Sequence, residues 1–123
     1  MKKILNTMAV AAIAAGALMS ANVDAGVEAK CKACHDFGDK AMVGPGLKGV
    51  VGKQAGTADF SNYGKSLKGG GWAWDEEHLR KWLVDSKQAI KEFTGDAGAT
   101  TAMPPQKLND AQLDEIIAFL KGL

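Results

Sequence analysis

The chain is poor in the residues that build strands, disulfide frameworks and metal clusters. Its 123 residues include two cysteines, two histidines and three prolines, and it has no run of β-branched residues that would predict strands. Two cysteines allow one disulfide at most, and a four-ligand zinc site would need both cysteines and both histidines. No run of basic residues points to nucleic acid. What is left is a small chain of helical pattern with glycine-rich loops.

The N-terminus has the pattern of a secretory signal peptide. Lys2 and Lys3 form a short positive segment, residues 4–19 are apolar and rich in alanine, and small residues follow. A retained membrane anchor is the alternative interpretation. The apolar stretch is interrupted by Asn6 and Thr7 and is short for a bilayer span, which favours a cleaved signal and predicts no stable membrane insertion.

Two cleavage points fit this segment. Cleavage after Ala21 leaves residues 22–123 as a single domain and removes residues 1–21, whereas cleavage after Ala25 shortens the domain by four residues. Loss of the two N-terminal lysines lowers the basic count from 15 to 13, against 14 or 13 acidic residues. The exported chain is therefore close to neutral, so electrostatic docking would depend on local patches. Export places the predicted protein in the periplasm.

Cys31-Lys-Ala-Cys34-His35 is the most informative motif in the chain. The pattern C-x-x-C-H is the attachment site of haem c, because two thiols three positions apart can add across the two vinyl groups of a porphyrin. The histidine after the second thiol then offers an imidazole nitrogen to the iron. The motif predicts one covalently bound haem c, with His35 as an axial ligand.

Other readings of these residues exist. The two cysteines could form a disulfide, but a redox C-x-x-C motif usually accompanies a βαβ pattern that is missing here. A zinc site would require Cys31, Cys34, His35 and His78 together. Haem attachment is the interpretation that accounts for both cysteines and the histidine directly after them, and it is the one we predict.

Met103 is the predicted second axial ligand. Met8 and Met19 leave with the signal peptide, and Met42 follows His35 too closely to cross to the other face of a haem. Met103 precedes two prolines, and a residue before proline is pushed into an extended conformation that suits a strap across a haem face. His78 is the rival, although its position within a helix favours a surface or edge histidine.

The spacing of apolar residues predicts helices rather than strands. Asn109 and Gln112 form a capping-box pair ahead of a periodic segment that contains Leu113, Ile116, Ile117 and Leu120. A second helix is predicted from about residue 76 to residue 85, with Asp75 as its N-cap. A first helix ends at the haem motif, and a short helical turn is predicted over residues 61–67. So few helices make a thin core, and we expect the polypeptide without haem to be largely unfolded.

The ordered set of motifs resembles the class I c-type cytochromes, the group of mitochondrial-like and bacterial single-haem electron carriers. The similarity spans about residues 22–123, and its motifs are the haem motif, the run from Gly44 to Lys53, Phe60-Ser-Asn-Tyr63, Trp74 with Leu79 and Trp82-Leu83, Met103, and Ile116 to Lys121. The resemblance implies an all-α cytochrome c fold of about four to five helices around one haem.

The resemblance also assigns residues. It implies His35 and Met103 as the axial ligands, and Pro45 as the residue whose carbonyl accepts the second ring N–H of the axial histidine. It implies that Tyr63 and Trp74 hydrogen-bond a haem propionate, although plain core aromatics are the alternative. Two positions of the last helix, Ile116 and Phe119, should pack on the N-terminal helix near Val27.

Two features depart from the family pattern. Lys53 stands where many members have arginine, which weakens the expected compensation of propionate charge. Residues 92–101 are rich in glycine, alanine and threonine and predict a long loop before Met103.

The sequence therefore predicts a periplasmic, monomeric one-electron carrier and not an enzyme. Expected partners are redox proteins such as a cytochrome bc complex, a dehydrogenase, an oxidase or a reaction centre. Lys30, Lys32 and Lys87 are candidates for steering an acidic partner to the haem edge near the two cysteines. An open iron that binds peroxide or a small gas is the enzymatic alternative, and a fixed subunit of a larger complex is another.

Overall fold

The computed structural model describes residues 26–123. Within that range the chain forms α-helices and loops, with a single isolated bridge between Gln54 and Ala73 in place of any strand. The helices are α1 (Glu28–Lys32), α2 (Glu76–Val84), α3 (Ser86–Thr94) and α4 (Asp110–Lys121). No helix in this range is long and apolar enough to cross a membrane. The predicted signal peptide and both cleavage points lie outside the described residues.

The last helix, α4, forms as the sequence predicts. Asn109 accepts a hydrogen bond from the backbone N–H of Gln112, and the Gln112 side chain accepts one from the N–H of Asn109. This capping box satisfies two backbone donors that a helix start leaves free. The apolar positions Leu113, Ile116, Ile117 and Leu120 are all buried, so α4 supplies one wall of the core.

Asp85 lies between α2 and α3, as the C-cap of the first and the N-cap of the second. Helix α2 begins after Asp75, whose side chain accepts from the N–H of His78, and it ends one residue before Asp85. The Asp85 carboxylate then caps α3 by accepting from the N–H groups of Lys87 and Gln88. No helix was predicted from the sequence after residue 85, yet α3 runs for nine residues before Gly95 ends it in the left-handed conformation, at φ 70°.

In place of a helix, the segment 61–67 ends in a single hydrogen-bonded turn, so the predicted turn of helix is found only at its end. The N–H groups of Leu67 and Lys68 both donate to the carbonyl of Gly64, at 3.1 and 3.0 Å. The second of these bonds has the spacing of an α-helix, and the chain then continues as loop toward Trp72.

Aromatic rings and the apolar faces of the helices make the core. Helix α2 packs on α3 and α4, and the rings of Trp72, Trp74, Trp82 and Phe93 lie 5.0 to 6.5 Å apart between centroids. Such edge and stacked contacts add to the free energy gained by burying the rings. This cluster fixes Trp74 and Trp82 on the side of the molecule where Met103 lies.

The N-terminal segment docks on α4. Val27 is buried, and its backbone N–H donates to Glu115 Oε2 at 3.1 Å. Phe37 meets Phe119 edge-to-face with centroids 5.0 Å apart. The short helix α1, which carries the first cysteine, is thereby placed against the last helix.

Candidate functional site

The two cysteines and His35 lie at the end of α1 and face one cavity. The N–H groups of Cys34 and His35 both donate to the carbonyl of Cys31, at 3.1 and 2.9 Å, so the chain stays close to helical as far as His35. Side chains three apart on such a backbone share a face. Both thiols and the imidazole line the same cavity. The cysteines are free thiols, not a disulfide.

Burial raises the pKa of the Cys31 thiol. The Glu28 carboxylate adds to this rise, and the Lys30 ammonium opposes it. The thiol form of Cys31 is therefore favoured at neutral pH, because the thiolate would lose solvation in the half-buried position. Because the thiolate is the reactive form of cysteine, the raised pKa lowers the reactivity of Cys31 toward other electrophiles.

The His35 ring is held from one side. Its Nδ1 lies 2.7 Å from the carbonyl oxygen of Pro45, which fixes the ring orientation and favours a proton on Nδ1. The other ring nitrogen, Nε2, is then left with a lone pair suited to a metal ion. Gly44 passes so close that a Cβ there would lie 2.8 Å from His35 Nδ1, so a side chain at this position would displace the ring.

Met103 lies in the wall of the same cavity, held by two hydrogen bonds. The indole Nε1–H of Trp82 donates to its sulfur at 3.0 Å, and the Ser86 hydroxyl donates to its carbonyl at 2.6 Å. Neither contact was predicted from the sequence. Both donors come from helices, Trp82 from α2 and Ser86 from α3, so the thioether is held by rigid elements.

The segment around Met103 is shorter and better anchored than the sequence suggests. Residues 92–94 are the last residues of α3, so the loop begins at Gly95 and not at Glu92. Its far end returns to α2, where Lys107 N–H donates to the Val84 carbonyl at 2.9 Å. The predicted long loop over residues 92–101 is therefore limited to residues 95–101, because residues 92–94 are helical, and Ala99 within it is buried.

Tyr63, Trp74 and Lys53 line the cavity on a further wall. Backbone pairing brings two of them together, since Trp74 N–H donates to the Lys53 carbonyl at 2.8 Å. The Tyr63 hydroxyl accepts from Ala58 N–H at 3.2 Å, which leaves its own proton free to donate. Burial raises the pKa of Tyr63 against the opposing effect of that hydrogen bond, so the phenol keeps this proton at neutral pH.

The cavity suits a flat, apolar group with an iron centre. Most of its lining is aliphatic or aromatic, including Leu47, Val50, Leu67, Leu79, Leu83, Ile116 and Leu120. Two thiols, one imidazole nitrogen and one thioether sulfur enter it, and this donor set matches two thioether links and two axial ligands. Tyr63, Trp74 and Lys53 add polar groups to the lining, which can pair with charged groups at the edge of such a body. The residues present therefore fit a haem.

The rival residues are placed elsewhere. His78 lies outside the cavity lining; its Nδ1 is 2.7 Å from Asp75 Oδ1 and its ring contacts Phe93. Met42 is 43% exposed. No group of three or more His, Cys, Asp and Glu side chains within residues 26–123 has the geometry to hold a metal ion, so these residues do not assemble a zinc site.

Comparison with known proteins agrees with this geometry. The family model described as cytochrome c matches residues 20–123, which is most of the chain. The chain belongs to the cytochrome c family. A cytochrome c2 from Cereibacter sphaeroides is 39% identical, with 92% of each chain covered. A cytochrome c2 from Rhodospirillum rubrum is 35% identical over 94% of this chain and 90% of its own length.

Solved structures give the same result. The structure of cytochrome c2 from Rhodobacter sphaeroides has a TM-score of 0.72 at 37% identity and covers 79% of this chain and 89% of its own. That of cytochrome cH from Methylobacterium extorquens has a TM-score of 0.67 at 40% identity and covers 79% and 92%. The predicted all-α cytochrome c fold is confirmed, and so are covalently bound haem c as cofactor and electron transfer as the activity of this cytochrome c.

Trp74 offers a test of the cavity wall. Its side chain is 9% exposed and packs between the rings of Trp72 and Trp82. Trp74→Ala leaves a void in this cluster, so we expect the free energy of unfolding to fall by about 3–5 kcal/mol, as for other buried aromatics. Unfolding of the parent and variant holoproteins in urea measures this difference in free energy. A Trp74→Ala protein as stable as the parent would contradict the packing described above.

Proposed function

We propose that this cytochrome c is a periplasmic carrier of single electrons, with haem c joined to Cys31 and Cys34 and its iron bound by His35 and Met103. One observation carries the proposal: the imidazole of His35 and the sulfur of Met103 enter the same apolar cavity as the two thiols, and each is held by a separate protein hydrogen bond. Bound haem c supplies an iron that alternates between the ferrous and ferric states.

The role of His35 follows from its contact with Pro45. A hydrogen bond from Nδ1–H to the Pro45 carbonyl directs Nε2 toward the cavity and makes it a better electron donor. The ring does not need to rotate when the iron changes charge, because both its position and its tautomer are already set. Gly44 keeps space for the ring at this place.

The role of Met103 is to favour the reduced state and to occupy the last coordination position. A thioether is a neutral, soft ligand, and methionine opposite histidine raises the reduction potential in c-type cytochromes. The N–H of Trp82 draws electron density from the sulfur, which acts in the same direction. A position filled by Met103 leaves no room for peroxide or a gas, which supports a carrier.

Three residues are proposed to serve the propionate groups. Tyr63 keeps a free proton to donate, Trp74 offers an indole N–H, and Lys53 brings a positive charge to the same wall. Lysine gives a point charge and not the two-pronged donor of arginine. Its pairing with a carboxylate therefore imposes less geometry than an arginine would.

Electrons are proposed to pass at the cavity mouth beside the two cysteines. Lys30 and Lys32 are exposed on α1 and Lys87 is exposed at the start of α3, so the three can attract an acidic patch on a redox partner. The Lys87 ammonium also donates to the Thr101 carbonyl at 2.8 Å, so it is partly engaged within the protein. Partners of this kind are a cytochrome bc complex, a dehydrogenase, an oxidase or a reaction centre.

The proposed location depends on the N-terminal pattern. Residues 1–21 are proposed as a signal peptide, and residues 22–123 as a single monomeric domain that is exported to the periplasm. The relatives compared above cover nearly the whole chain, which supports a single domain over residues 22–123.

The visible and near-infrared absorption spectrum of the exported protein tests which residues bind the iron. We expect the oxidised form to show the weak near-infrared band of ferric iron bound to methionine sulfur, and the reduced form to bind carbon monoxide poorly. Both follow from a sulfur ligand that stays bound in each redox state. Ready binding of carbon monoxide at neutral pH would instead favour an open iron, and with it the enzymatic alternative.

A further inference from the structure

The backbone on either side of the Met103 side chain is tied to the start of α3. The Ser86 hydroxyl donates to the carbonyl of Met103 itself at 2.6 Å, and the Lys87 ammonium donates to the carbonyl of Thr101 at 2.8 Å. We call residues 99–103 the strap. The two ties differ in their surroundings, since Ser86 is 0% exposed and Lys87 lies at the surface.

Ser86 has no other role that would explain a fully buried hydroxyl. It is the one polar residue among the buried residues of the described chain. Capping of α3 is done by Asp85, which accepts the N–H groups of Lys87 and Gln88, so the Ser86 side chain is not needed there. A buried hydroxyl without a partner is costly, and this one has the Met103 carbonyl.

We propose that Ser86 is a positioning residue that holds the strap closed and thereby sets how often Met103 leaves the iron. The proposal rests on Met103 as the axial ligand proposed above, and it extends that role to the exchange of the ligand. The hydrogen bond of Ser86 goes to the backbone carbonyl of Met103 and not to its sulfur, so Ser86 acts through the backbone.

The position of the tie gives it control over the ligand. Two further hydrogen bonds hold this part of the chain. Within the strap, Thr100 N–H donates to the Ser66 hydroxyl at 3.2 Å, and beyond it Lys107 N–H donates to the Val84 carbonyl at 2.9 Å. Ser86 is the residue bonded to the backbone of Met103 itself, so lifting the strap at Met103 breaks the Ser86 hydrogen bond together with those of Lys87 to Thr101 and of Trp82 to the sulfur.

Removing the hydroxyl should shift the balance between closed and lifted strap. In Ser86→Ala the Met103 carbonyl is left without its partner while the strap is closed, whereas it can bind water once the strap lifts. The penalty thus falls mainly on the closed form, where the half-buried carbonyl has lost its donor, and by the usual cost of an unpaired acceptor the lifted fraction should rise on the order of tenfold. The apparent affinity for an external ligand rises by the same factor, because it scales with the fraction of protein that can bind.

The experiment is a cyanide titration of the ferric holoprotein. We expect Ser86→Ala to bind cyanide with a dissociation constant roughly tenfold lower than that of the parent, while the near-infrared band of the cyanide-free protein is still present. Lys87→Gln should change the constant less, since water can replace an exposed ammonium on the Thr101 carbonyl.

Thr94→Val is the matched control for general loosening. The exposed Thr94 hydroxyl donates to the Ile90 carbonyl at 2.7 Å and accepts from Asp96 N–H at 3.2 Å, so this variant also removes a hydroxyl-to-carbonyl bond from α3, but at the end away from Met103. We expect it to lower stability in urea without changing the cyanide constant. An equal shift in Thr94→Val and Ser86→Ala would overturn the proposal, because the effect would then be one of stability.

Met103→Ala separates the two proposals. If Met103→Ala binds cyanide far more tightly than the parent while Ser86→Ala equals the parent, Met103 is the ligand and the role given to Ser86 is wrong. If Met103→Ala itself leaves the cyanide constant unchanged, the ligand assignment is wrong, and the role of Ser86 is wrong with it.

Discussion

Alanine in place of Met103 is expected to abolish the near-infrared band of the oxidised protein and to lower its reduction potential. The change removes the proposed sulfur ligand, which would favour ferrous iron, and the axial ligands of haem proteins set potentials over a span of about 0.8 V. A fall on the order of tenths of a volt is therefore expected. The reduced variant should bind carbon monoxide readily, as measured by its visible spectrum.

Met42→Leu is the control for this experiment. Met42 is exposed and lies in the loop after His35, so its replacement should leave the band, the potential and the response to carbon monoxide unchanged. An unaltered spectrum in Met103→Ala would show that another group binds the iron. A change caused by Met42→Leu would point to Met42 as that group.

Loss of either motif cysteine is expected to remove most of the holoprotein. Cys31→Ala and Cys34→Ala each delete one of the two proposed thioether links, and capture of the haem and folding of so small a core are coupled. Treatment of the parent with acid and acetone should leave the colour on the polypeptide, and the yield of coloured variant should fall to a small fraction. Haem staining after denaturing electrophoresis measures both.

Lys32→Ala is the matched variant within the same motif. Lys32 is exposed between the two cysteines, and its replacement should leave haem attachment intact. Parent protein whose colour extracts into the solvent would contradict thioether attachment. A normal yield of coloured Cys34→Ala would show that the second link is not needed for capture.

Secondary structure was predictable where the caps and the apolar period agree. Helix α4 has both signals and forms over Asp110–Lys121, and α2 likewise follows Asp75. Helix α3 was missed because Asp85 was taken as the end of a helix, although the same aspartate caps the next one. Its buried positions, Ala89 and Ile90, give only a short apolar signal, and Gly95 was the best available sign of its end.

The residues proposed to bind the haem were more predictable from the sequence than the residues that hold them in place. A local motif names Cys31, Cys34 and His35, and proline after Met103 suggests an extended strap. The contacts of Trp82 and Ser86 with Met103 join residues 21 and 17 positions apart. They depend on how α2 and α3 pack, and no local spacing in the sequence encodes that packing.

Trp82 has a consequence for the speed of electron transfer that follows from the chemistry of indole. An indole N–H can donate but cannot accept, and unlike a hydroxyl its hydrogen has no torsion of its own. Buried among Trp74 and Phe93, the ring has no room to turn. The dipole that faces the Met103 sulfur therefore keeps one direction before and after an electron arrives, and no hydrogen must swing around beside the proposed iron ligand. This contact therefore adds little to the reorganisation energy of electron transfer.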